Sequence, residues 1–91
     1  MSVTVSIPTV LRTLTGGQSK VEAAGATVGE VLDAVEAAHP GLKERLLDED
    51  GSLKRFMNLF VDDDDVRYLE GLDTKVSDGA SVTIFQAVAG G

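Results

Sequence analysis

Cysteine is absent from the chain. That excludes a disulfide framework, a cysteine nucleophile and any thiolate metal site. A single histidine is too few for a histidine-rich metal site. Tryptophan is missing as well, and the aromatics amount to three phenylalanines and one tyrosine. The core must therefore be built from valine, leucine, isoleucine and alanine. Positive charge is scarce, and the formal net charge is -7. A basic footprint for nucleic acid is lacking, and an anionic membrane would repel such a surface. No apolar run approaches transmembrane length. Nor does the chain open on a basic stretch followed by an apolar one, so no signal peptide is read. The expectation is a cytoplasmic protein with neither nucleic acid nor membrane among its partners. Its acidic surface suits a protein partner with a basic face, or simply keeps the chain soluble.

What is present suits one small domain. The chain has 91 residues, and its 43% hydrophobic content is ordinary for a globular protein. Val3, Val5 and Ile7 alternate with polar residues, the pattern of a half-buried strand that Pro8 ends. Val10, Leu11 and Leu14 follow in a looser segment, and Thr15-Gly16-Gly17 signals a turn. Ser19 to Ala24 returns as a second strand with Val21 and Ala23 facing inward. Gly25-Ala26 breaks that hairpin. Thr27 then stands three residues before Glu30, which is a capping box. Val28, Val31, Leu32, Val35 and Ala38 recur at helical spacing and predict a helix over 28–38. His39-Pro40-Gly41 stops it, because the residue before proline avoids the helical region. His39 is either a catalytic base or a cap on the helix end, and the cap is the favoured reading. Leu42, Leu46 and Leu47 suggest a short second helical turn, and Asp48 to Gly51 a loop.

Leu53 to Val61 reads as the next strand, with Met57, Leu59 and Val61 on the core side. Phe56 and Phe60 then lie on the opposite face. The four acids Asp62 to Asp65 lack the spacing of a calcium loop and read as a solvated hairpin tip. Val66 to Leu69 is expected as the return strand. Gly71 to Val76 is irregular, Asp78-Gly79 is a turn, and Ser81 to Phe85 is the last strand. Val82 and Ile84 face in; Thr83 and Phe85 face out. Hairpin, helix, hairpin and strand make an α+β arrangement, the β-grasp or ubiquitin-like roll. It has a mixed sheet of about five strands, with one main helix on one face and the first and last strands parallel at the centre. Residues 1–86 form this domain. Residues 87–91 are expected as a flexible tail, Ala87-Val88-Ala89-Gly90-Gly91, held out in solvent.

These pieces resemble the ThiS/MoaD family of ubiquitin-like sulfur carriers, and within it the actinobacterial carriers of cysteine biosynthesis. The resemblance runs the whole length. It is carried by residues 3–9, Thr15-Gly16-Gly17-Gln18, Glu44-Arg45-Leu46, Asp64-Asp65-Val66-Arg67, residues 78–84 and residues 87–91. Gln86 departs from the pattern, since these carriers commonly have proline there. The resemblance implies a protein cosubstrate, not an enzyme. An E1-like enzyme using ATP and magnesium would adenylate the Gly91 carboxylate, and a sulfur donor would convert it to a thiocarboxylate. A sulfur-acceptor synthase, of the cysteine-synthase kind or another thiolating enzyme, would then use the sulfur. A tail-processing metalloprotease is a further implied partner. The chain itself would hold no cofactor and no metal.

Gly90 and Gly91 suit that chemistry because side chains there would block close approach to a nucleotide. Phe60 and Phe85, and less so Phe56, are expected to form a docking surface, since exposed aromatics on one face mark partner sites. Val88 and Ala89 would enter the partner with the tail. Arg67 and Arg12 are candidates for orienting a partner, a role the sequence does not decide. Three other readings compete: a ubiquitin-like modifier joined to lysines through Gly91, a non-covalent interaction module, and an enzyme. The enzyme is weakest, because no nucleophile–base pair or metal constellation is visible.

Overall fold

The computed structural model describes residues 2–54 and 57–86. The first strand, β1 (Ser2–Ser6), alternates as the sequence requires, with Val3 and Val5 buried and Thr4 and Ser6 on the far face. β2 (Lys20–Ala24) pairs antiparallel with it, Val5 opposite Val21. Thr9 to Thr15, expected as a loose segment, winds into a 3-10 helix. Leu11 is buried there while Val10 stays exposed. Gly16 and Gly17 end it with positive φ, the conformation glycine adopts without steric cost. The Arg12 side chain donates to the Ile7 carbonyl at 3.1 Å, so it fastens this loop to the end of β1.

The main helix, α1, spans Val28–Ala38. At its start the Thr27 hydroxyl accepts the Glu30 N–H at 3.2 Å. The Glu30 carboxylate reaches back to the Ala26 N–H at 3.1 Å, one residue beyond the usual capping-box partner. Gly25 lets β2 turn so sharply into the helix, because a Cβ there would meet the Val31 nitrogen at 2.8 Å. Val28, Val31, Leu32 and Val35 are buried. Ala38 completes the helical spacing but is exposed on the last turn. His39 occupies the C-cap, its N–H donating to Val35 O at 2.7 Å.

A short helix, α2 (Leu42–Leu46), follows, with Leu42 and Leu46 buried. Its cap comes from outside the segment. The Glu36 carboxylate of α1 accepts the N–H groups of Gly41 at 3.0 Å and Lys43 at 2.8 Å. Those two bonds, Gly41 first, hold the Glu36 carboxyl below its ordinary value.

The third strand is shorter than expected. β3 is Met57–Val61, and Leu53 makes only an isolated bridge to Leu47. Before β3 the Met57 N–H bonds Lys54 O at 3.0 Å. The return strand also lies elsewhere. β4 is Asp64–Asp65, and Val66–Tyr68 is a 3-10 turn, not the strand expected over 66–69. The physical reason is Asp65. Its carboxylate accepts the Arg67 N–H at 2.8 Å, a local bond that competes with strand pairing. Val66 is buried by this turn, so its apolar character signals core without signalling strand.

β5 (Ser81–Gln86) completes a five-stranded sheet of order β2-β1-β5-β3-β4. β1 and β5 run parallel, and β3 and β5 antiparallel. This is the β-grasp topology. α1 covers one face, where Val5, Leu59, Val82 and Ile84 form the centre of the core. Ile84→Ala or Val5→Ala should cost about 1–4 kcal/mol through lost packing, read from urea unfolding. Glu36 gives a pH test. Its folded value is lowered from 4.5, so its contribution is present above that value and lost as pH falls through the lower one. Glu36→Gln should therefore be less stable at neutral pH, with the gap to wild type narrowing as pH falls below 4.5.

Candidate functional site

The sheet face away from α1 divides into two halves. On the β1–β2 side, Glu22 accepts the hydroxyls of Ser2 at 2.8 Å and Thr4 at 2.9 Å. These bonds, Ser2 first, hold the Glu22 carboxyl below its ordinary value. Ser2, Thr4 and Glu22 are thus occupied with one another.

The β3–β5 half carries the aromatics. Phe60 lies between Thr83 of β5 and Asp65 of β4 and is half-buried. Phe85 stands opposite Asn58 and is 57% exposed. The two phenylalanines are therefore diagonal neighbours, about 7–8 Å apart and within aromatic reach. Both sit on the outer face, as the alternation predicts, and Phe85 is the more available. Tyr68 at 88% and Leu69 at 47% exposure are further open apolar side chains. The sequence hid them, because the segment reads as a strand and the Tyr68 side chain would then be half-covered.

β5 ends at Gln86, opposite Met57. Phe56, Val88, Ala89, Gly90 and Gly91 lie outside the described residues. In the sequence Gly91 is the fifth residue after Gln86.

Arg67 is used internally. Its guanidinium bonds the Asn58 side-chain oxygen and the carbonyls of Lys54 at 2.9 Å and Met57 at 2.7 Å. No local pattern announces this, because the acceptors precede Arg67 by a full hairpin. The acidic tip is partly structural too. Asp62 takes positive φ and its carboxylate accepts the Ser81 N–H at 3.2 Å. An open concavity beside α2 is lined largely by acids, among them Glu44, Asp48 and Glu49, and includes neither Phe60 nor Phe85. Among the described residues no group of three or more His, Asp or Glu side chains is placed to hold a metal ion. No helix among them is long and apolar enough to cross a membrane.

The fold and the aromatic face define a β-grasp, ubiquitin-like protein. Residues 5–91 match the ThiS family, and the chain belongs to it. It is 55% identical to the sulfur carrier protein CysO of Mycobacterium tuberculosis, with all of both chains covered. A chain from the crystal structure of the Amycolatopsis orientalis BexX/CysO complex superposes with a TM-score of 0.92. That match is 57% identical and covers 98% of this chain and 99% of the other. Small archaeal modifier protein 3 of Haloferax volcanii is 44% identical over 72% of this chain and 71% of its own length.

The register separates the two phenylalanines experimentally. Phe85→Asp should leave the melting temperature near wild type, because the side chain is already exposed. Phe60→Asp sets a carboxylate directly opposite Asp65 and should cost roughly 1 kcal/mol. Thermal unfolding of both variants checks the assignment.

Proposed function

We propose that the chain is a sulfur carrier that presents Gly91 to an E1-like activating enzyme. The observation that supports this best is the full-length match to carriers named CysO, including the Gly90-Gly91 end. A carboxylate is a poor electrophile. The partner, using ATP and magnesium, lets a Gly91 oxygen attack the α-phosphate, and pyrophosphate leaves. A sulfur donor then attacks the acyl carbon, AMP departs, and a thiocarboxylate remains. Its sulfur is the nucleophile for a second partner, an acceptor synthase. In a cysteine pathway the acceptor is an activated serine such as O-phosphoserine, and a metalloprotease frees the product from the tail. Dependence on ATP places this cycle in the cytoplasm.

The chain's own part is to dock and to reach. Residues 86–91, if extended, span roughly 20 Å, enough to thread a narrow channel with the domain held outside. Phe60 and Phe85, beside the root of the tail, supply the apolar contact, and Val88 and Ala89 enter the channel with the tail. The chain is a cosubstrate in this scheme, and the chemistry takes place in the partner. Similarity to an archaeal modifier protein supports a second reading, in which Gly91 is joined to lysine amines. The product separates the two: thiocarboxylate or isopeptide.

Incubation with ATP, an E1-like enzyme and a sulfide source should replace one oxygen by sulfur in the intact mass. Deleting Gly91 should abolish that change while leaving the fold intact. An unmodified wild-type chain, or normal loading of the truncated one, overturns the carrier reading.

A further inference from the structure

The end of β5 is held from one side. β1 pairs with β5 only at Ser81 to Thr83, whereas β3 pairs with it from Val82 to Gln86. Beyond Thr83, β3 is the pairing partner among the described residues. Whatever fixes the start of β3 therefore fixes the root of the tail.

The other edge of β3 is short of partners at that point. Among the described residues β4 pairs only with Phe60 and Val61, and no strand pairs with that edge before Phe60. Arg67 supplies donors there. One terminal nitrogen bonds the Asn58 side chain, and the other bonds Lys54 O and Met57 O. Asn58 faces Phe85 across the register, and Met57 faces Gln86. The turn delivering Arg67 is itself fastened by the Asp65 carboxylate and by buried Val66. A guanidinium suits the task because its planar fork reaches several acceptors at fixed angles, whereas an ammonium is a single point charge.

We propose that Arg67 is a positioning residue. By clamping the first residues of β3, it holds Phe85 and Gln86 in the geometry from which the tail is offered to the activating enzyme. The proposal rests on the carrier reading. Arg67→Ala should raise the carrier's KM for thiocarboxylate formation about tenfold, with kcat within about twofold, below the melting range of the variant. Arg67→Lys should behave like Arg67→Ala, since charge alone does not replace the fork. Asn58→Ala should add little in the Arg67→Ala background, because the two side chains act as one unit. Hydrogen exchange at the Phe85 amide should be about tenfold faster in Arg67→Ala, with Val3 and Val5 unchanged.

An unchanged KM overturns the proposal even if exchange quickens, since the clamp would then have no part in activation. Rescue by lysine also overturns it, and points to a direct charge contact with the partner. If the wild-type chain is not loaded, the carrier reading fails on its own. The exchange measurement then decides the clamp alone: unchanged exchange at Phe85 refutes it, and faster exchange sustains it as a clamp on the end of β5.

Discussion

Parallel pairing of β1 with β5 at the centre of the sheet is the constraint from which the rest follows. Parallel neighbours cannot be joined by a tight turn, so a long connection must cross over. Here that connection contains α1, which lies on one face and buries it. Such a crossover leaves the opposite face free of helix. It also sends the last strand outward from the sheet centre, rooted in the most buried part of the molecule.

That geometry separates two tasks. The buried face supplies stability through aliphatic side chains such as Val5, Leu59, Val82 and Ile84. The opposite face is not uniform. Ser2, Thr4 and Glu22 satisfy one another on the β1–β2 side. Phe60 and Phe85 occupy the β3–β5 side, beside the strand that leads into the tail. Apolar area there lies next to the point from which the chain would enter a partner. The acidic concavity beside α2 includes neither phenylalanine.

The structure also assigns work to charges that look like mere solubilising decoration. Glu36 caps a helix to which it does not belong. Asp62 ties the hairpin tip to β5, and Asp65 ends its own strand by turning the chain. Arg67 then carries that turn back to the start of β3. An acidic run and the arginine beside it thus form a connected brace along one edge of the sheet.

Much of this was legible in the sequence. The limits of α1 followed from Thr27, Glu30 and Pro40, and the inward faces of β1 and β5 from their alternation. Each rests on periodicity or capping, which involves residues a few positions apart. The Gly90-Gly91 ending and the outward position of Phe60 and Phe85 were equally readable. Tertiary structure decided what local pattern could not. It set β4 at Asp64–Asp65 and turned Val66–Tyr68 into a 3-10 helix, because burial of Val66 and the Asp65 cap outweighed the strand-like run. It exposed Tyr68 and committed Arg67 to internal carbonyls. Hydrogen-bond partners ten or more residues apart meet only once the sheet has formed, so no window of sequence contains both.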